Sequence, residues 1–233
     1  MKSGSKHNLN QTNCTSIEVS NSSISFLPSV KYLGVQLDSS LTMQRHISDV
    51  CRSTFLALRR ISTIRPFLSK ESTATLIHAS VTSRLDYCNS CLSGIASDQL
   101  LRLQRVQNSA ARLVLKRRKQ DHIQPLLKQL HWLPLSFRIT YKLCVLAFRH
   151  FENSLPQYIS DFLFTYKPSR NLRSSSEKLL CVPRKSLKSG HRSPSSAIPK
   201  AWNSLPLFLR NSPNISIFKS RLKTHLFTLA FPQ

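Results

Sequence analysis

Nucleotidyl transfer of the two-metal kind needs carboxylates that converge on divalent cations, so the acidic residues come first. Only 10 are present, and Glu18, Asp38, Asp49, Glu71, Asp86, Asp98, Asp121, Glu152, Asp161 and Glu177 stand singly, with no adjacent Asp-Asp pair. Asp98 suits the first turn of a helix, where the helix dipole favours a negative side chain. Cys88-Asn89-Ser90-Cys91 has the spacing of half a zinc site. A closed site wants four ligands, and His78 and His122 fall at no second-pair spacing. The remaining cysteines, Cys14, Cys51, Cys144 and Cys181, are too dispersed for a disulfide scaffold and read as core thiols. Four glycines in the chain leave no room for a glycine-rich phosphate loop. No elbow motif marks a nucleophilic serine or cysteine. These residues predict no catalytic group, no metal site, no cofactor and no small-molecule substrate.

The basic residues say more. Lys and Arg number 34, giving a formal net charge of +24. Such self-repulsion is relieved most simply by a polyanionic partner. The charge is spread along predicted helices instead of clustering beside an apolar anchor, which favours nucleic acid over a membrane surface. Arg45, Arg52 and Arg59 recur every seven residues, and Arg102, Arg105, Arg112 and Lys116 form a second row. Both rows are read as lacking acidic neighbours four residues away to pair with. Unpaired guanidinium rows on neighbouring helices suit a phosphate backbone, where each contact positions the duplex without reading its sequence.

Those rows need helices to hold them, and the hydrophobic period supplies them. Ile24, Phe26, Val30, Tyr32, Val35 and Leu37 alternate around Pro28 as two short strands, with Gly34 expected as a bulge or a point of close backbone approach. The period then becomes helical. Ser39 or Ser40 is expected to cap a helix carrying Ile47, Val50, Cys51, Leu58 and Ile61 on one face, ending at Pro66. A second helix starts at Ser69. A third starts at Ser97, with the seam Leu100, Leu103, Val106, Ala110, Leu113 and Val114. Three such helices make a small bundle. Further helices follow over 123–130 and 136–151, and a last amphipathic one over 215–229.

Residues 166–200 hold nine Lys or Arg and four Pro, with a strand-like run only at Leu179 to Val182, and read as an extended or partly disordered arm. Trp132 and Trp202 each sit in an apolar phrase and are expected to pack in the core, not to stack on bases. Asn153-Ser154-Leu155-Pro156 and Asn203-Ser204-Leu205-Pro206 repeat the same four residues, which is helix-start chemistry. The chain thus reads as mainly α, with a short N-terminal β-hairpin, a helical bundle and further helices with a basic arm. No signal-peptide core or membrane span is present in its sequence, so an intracellular setting, nuclear or cytoplasmic, is expected.

Several phrases resemble the C-terminal third of LINE-type (non-LTR) retrotransposon reverse transcriptases. They are Lys31-Tyr32-Leu33-Gly34-Val35-Gln36-Leu37-Asp38, Arg84-Leu85-Asp86-Tyr87-Cys88-Asn89, Leu103-Gln104-Arg105-Val106-Gln107-Asn108, Leu130-His131-Trp132-Leu133-Pro134 and Ala201-Trp202-Asn203-Ser204-Leu205-Pro206. Together with shorter matches they run in family order over about 30–229.

The resemblance implies a palm edge and primer-grip hairpin over 1–38, a helical thumb over 39–119 and a basic C-terminal region over 120–233. Tyr32, Leu33 and Gly34 would belong to the primer grip, where a small residue lets the primer backbone come close. The thumb would hold an RNA-DNA hybrid by its sugar-phosphate surface. Palm and fingers, with the catalytic carboxylates, would precede Met1 and would be partners of this piece, itself non-catalytic. Two other readings stay open: an inactive translated transposon remnant, and a helical protein-interaction module.

Overall fold

The computed structural model describes residues 16–232, apart from 21, 167 and 169–177. Two antiparallel hairpins open it: β1 (Ser16–Val19) with β2 (Ser22–Ser25), and β3 (Ser29–Tyr32) with β4 (Val35–Asp38). The first hairpin meets the expected strand pattern only at Ile24, and its residues are almost all exposed. The second pairs Val30 with Leu37 and Tyr32 with Val35, and turns Val35 into the core.

Helix α1 (Gln44–Ile64) follows. Its start differs from the expected serine cap. Asp38, at the end of β4, accepts from the amides of Thr42 and Met43 at 2.9 Å each, so one carboxylate joins hairpin to helix. A 3-10 turn over Arg65–Phe67 ends α1 at Pro66, whose ring cannot continue the amide ladder. Helix α2 (Lys70–Ile77) is capped by Ser69, whose hydroxyl accepts from Ser72 N at 3.1 Å. It widens into a π-helical turn, His78–Thr82, and continues as α3 (Ser83–Asp86). Helix α4 (Ser97–Leu115) completes a three-helix bundle.

Beyond it lie α5 (Ile123–Gln129), α6 (Leu135–Phe151) and the one-turn α7 (Gln157–Ser160). Three Leu-Pro steps set the chain's entries. Pro134, Pro156 and Pro206 each stand in extended backbone just before a helix, while Leu133, Leu155 and Leu205 are buried beside them. Proline's fixed φ and missing N–H make it a natural point to restart a helix. The repeated Asn-Ser-Leu-Pro phrase shares this Leu-Pro entry, but Asn153 stands in left-handed backbone whereas Asn203 is the last residue of a helix.

The expected arm is largely ordered where the structure describes it. Helix α8 (Lys188–Arg192) and α9 (Pro194–Asn203) occupy its second half, and α9 buries Ala197, Ile198, Pro199 and Trp202. Its charge and prolines hid this. Pro194 stands at the first helical position, where it is tolerated, and the buried residues form one face. Most of the arm's first half lies outside the described residues. Leu180 bridges to Thr165 and is held by Asn203, which both accepts from its amide at 3.0 Å and donates to its carbonyl at 2.8 Å.

Helices α10 (Leu207–Arg210) and α11 (Ile215–Ala230) close the fold. Trp202 is fully buried, with Phe148 and Phe218 stacked at 4.4 Å beside it, and it donates to Lys178 O at 2.6 Å. Trp132 is also buried. The apolar core runs without a break from Val35 through α4, Leu127 and Trp132 to Leu226, so the change of segment near 119 interrupts no packing. No helix among the described residues is long and apolar enough to cross a membrane. Replacing Trp202 by Ala should cost about 3–5 kcal/mol, a loss that urea unfolding would read directly.

Candidate nucleic-acid interface

Two hydrogen-bonded contacts fix how α1 and α4 lie together. Near their starts, Arg102 of α4 donates to Ser48 Oγ of α1 at 2.9 Å. At their ends, Arg65 donates from Nε to Leu113 O at 3.0 Å and from Nη2 to Val114 O at 2.8 Å, with a third bond to Leu68 O at 2.7 Å. The helices are therefore parallel and side by side. Arg65 is buried, and it satisfies carbonyls that a helix C-terminus leaves without intrahelical partners. Its positive charge also suits the negative end of the α4 dipole.

On α1 the buried stripe is Ile47, Cys51, Thr54, Leu58 and Ile61. At 100° per residue Arg45, Arg52 and Arg59 fall on the opposite side, and all three are exposed. Between Arg45 and Arg59 the helix rises roughly 21 Å, the length of about six phosphates along one strand of a duplex. Ser48 stands one turn from Arg45 and one from Arg52, so its bond to Arg102 brings the start of the second row beside the first.

The second row is less uniform than its spacing suggests. Arg105 and Lys116 are exposed. Arg102 is half-buried and divided between Ser48 and Gln99. Arg112 turns to the loop before α5 and donates to Asp121 O at 3.0 Å, which commits it to holding that loop. Lys116 stands in left-handed backbone at the end of α4 and begins the exposed run Lys116-Arg117-Arg118-Lys119. Arg60, Arg117, Arg118 and Lys119 were left out of the sequence-derived set, although four consecutive cations are a signal in themselves.

Asp49 and Asp98 do stand four residues from Arg45 and Arg102, contrary to a reading of both rows as wholly without acidic neighbours. Neither pairs with its arginine. The one ion pair among the described residues joins Arg138 to Asp86.

The hairpin tip is built differently from a bulge. Leu33 and Gly34 are the two residues between the paired Tyr32 and Val35, with φ of 45° and 82°. That left-handed pair makes the tight hairpin turn and favours glycine. Tyr87 donates to Leu33 O at 2.6 Å, and a Cβ on Gly34 would meet the Tyr87 ring at 3.4 Å. The close approach at Gly34 is thus to the chain's own tyrosine. Tyr32 and Leu33 remain exposed, at 64% and 73%. Arg45 donates to Ser29 Oγ at 3.2 Å, which ties β3 to the start of α1. The structure therefore ties Arg45 to the base of the hairpin and Arg102 to Ser48 near the N-terminal end of the α1–α4 pair, while the hairpin tip is held by Tyr87. Arg59 and Lys116 lie at the far end, and Arg112 is turned aside.

Three of the thiols, Cys51, Cys91 and Cys144, are held away from the thiolate form. Burial pushes Cys144 up to about 12 and raises Cys51, while Cys91 is raised by burial and then by its neighbour Cys88. No group of three metal-ligating side chains is present among the described residues. Compared with known protein families, curated proteins and solved structures, the chain matches none of them.

The junction of hairpin and helix carries one titratable group. His46 is buried, and its Nδ1 accepts from Gln36 N at 3.5 Å, so the ring must be neutral there. Burial holds its pKa below the ordinary 6.5, with Asp49 acting weakly the other way. The unfolded chain therefore binds the proton more readily than the folded one. Stability from this group is complete above about pH 6.5 and falls as pH drops through that value toward the folded pKa. Amide exchange at Gln36, corrected for intrinsic rate, should lose protection between pH 7 and pH 5. A flat profile, or one unchanged in His46→Gln, would show that His46 does not control the hairpin.

Proposed function

We propose that this chain holds a nucleic-acid duplex by its sugar-phosphate backbone, as the non-catalytic, template-primer-binding portion of a LINE-type reverse transcriptase. The observation that carries the reading is the outward row of Arg45, Arg52 and Arg59 on α1 beside Arg105 on α4. These side chains are exposed and pair with no carboxylate among the described residues, on two helices locked in parallel.

Electrostatics favours this use. With a net charge of +24, a surface of free guanidinium groups gains most from a polyanion, through release of the counterions condensed on it. Arginine also donates two parallel hydrogen bonds to phosphate oxygens, which makes it better than lysine for positioning a backbone. The family resemblance adds the kind of duplex, an RNA-DNA hybrid, and gives the exposed Tyr32 and Leu33 at the hairpin tip a place near the primer end. The palm and fingers of such a polymerase would be the partners that carry catalysis.

The expected behaviour is weak, salt-dependent binding without sequence preference. With about five phosphate contacts, from Arg45, Arg52, Arg59, Arg105 and Lys116, the slope of log K against log salt should be about −4 to −5. Affinity for a labelled RNA-DNA hybrid, followed by anisotropy, should then fall several-hundredfold between about 50 and 200 mM salt. Arg52→Glu with Arg59→Glu should weaken binding about a hundredfold and flatten the slope by about 2. Binding that ignores salt, or that survives this double reversal, would remove the basis of the reading.

A further inference from the structure

A pocket of about 570 Å³ lies on different elements from the arginine rows, between the π-helical turn, α6 and α11. Its walls are aromatic and basic. Trp132 meets His78 edge-on with ring centres 5.2 Å apart, and Tyr141 stands alongside. Arg138 and Lys142 occupy successive turns of α6, and Lys223 comes from α11. The only carboxylate among the lining residues is Asp86, already held by Arg138. Lys142 and Lys223 are exposed and pair with no carboxylate among the described residues, so the pocket presents uncompensated positive charge.

A second, independent feature points to a ligand. Asn89 is 5% exposed and lines the same pocket, and its Oδ1 has no hydrogen-bond partner among the described residues. The assignment of its amide is fixed by Asp86, which can only accept and lies 3.4 Å from Nδ2. The oxygen is left as a buried acceptor, an arrangement that is costly unless a donor arrives. The left-handed backbone at Cys88 and the 3-10 turn over Asn89–Leu92 hold the residue in place. The π-helical turn at His78 is a rare insertion, frequently found at functional sites.

We infer that this pocket binds a nucleotide unit, with Lys142 and Lys223 taking the phosphate, Asn89 accepting from a base or sugar donor, and the Trp132 region receiving the flat ring. A bare anion satisfies the lysines but not Asn89, and a neutral aromatic leaves the lysines unused. The volume lies within the range of small-ligand pockets. The unit has two possible sources, a free nucleoside monophosphate or a residue of a single strand, and both present the same chemistry.

Quenching of tryptophan fluorescence in the full chain tests this, because Trp132 lines the pocket while Trp202 is fully buried elsewhere. Adenosine and guanosine monophosphates and a short single-stranded oligonucleotide are the probes, with inorganic phosphate and the unphosphorylated nucleosides as controls. Saturable quenching by a monophosphate or by the oligonucleotide is expected, each control binding at least about tenfold more weakly, a difference of about 1.4 kcal/mol. Saturation by the monophosphate identifies the free source, and saturation by the oligonucleotide alone identifies a strand residue.

Asn89→Ala should weaken binding about fivefold to tenfold without lowering the melting temperature. Should that variant fail to fold, exposed Lys142→Glu with Lys223→Glu decides, with an expected loss above about tenfold. Equal binding of phosphate and nucleotide would leave only a cationic patch and overturn the proposal. Unchanged affinity in the lysine variants would do the same. Arg52→Glu with Arg59→Glu should leave this quenching intact, so failure of the duplex surface and failure of this pocket are separately visible.

Discussion

The guanidinium of Arg65, set against the last carbonyls of α4, governs the geometry on which the rest of the molecule depends. A helix C-terminus buried without partners leaves carbonyl dipoles unsatisfied, and an arginine supplies several donors and a charge of the right sign in one planar group. Because Arg65 follows the last residue of α1, satisfying those carbonyls also brings the C-terminal ends of two long helices side by side. Arg102 and Ser48 repeat the tie at the other end. Parallel alignment is what turns two rows of cations into one surface.

Charge is otherwise left uncompensated. A molecule of net charge +24 with a single ion pair among its described residues spends little of its positive charge on its own stability. Where a cation is used internally, the partner is usually a carbonyl: Arg65, Arg112 and Arg192 all donate to backbone oxygens. Such bonds order loops and helix ends without reducing net charge. The exposed arginines of α1 therefore add to a field that attracts polyanions from a distance and is screened by salt.

The Asp86–Arg138 pair is the exception, and it stands where the bundle meets α6. Asp86 ends α3 and Arg138 lies in the first turns of α6, so the pair fastens the return helix of the bundle to the C-terminal layer. It also fixes the orientation of Asn89, and with it the unfilled acceptor of the neighbouring pocket. The duplex-facing surface and this pocket are thus supported by different contacts within one continuous core.

The mainly α architecture and the long helices were legible in the sequence because local patterns determine them. Leu103, Val106, Ala110 and Val114 recur at helical spacing and are buried as a stripe, and Ser69 caps the helix that its type predicts. Rows of arginine seven residues apart follow from the same periodicity. Tertiary structure alone decided the rest. Helix α9 was read as an arm because its prolines and charges outweigh its apolar face locally, and only burial of Trp202 against Phe148 and Phe218 tips the balance. Gly34 was placed in a strand, whereas the structure makes it half of a two-residue turn braced by the distant Tyr87. Arg112 leaves its row, and Arg65 gains its role, through carbonyls contributed by distant or looping segments. Period and propensity act over a few residues, whereas the satisfaction of buried polar groups is settled only when remote parts of the chain meet.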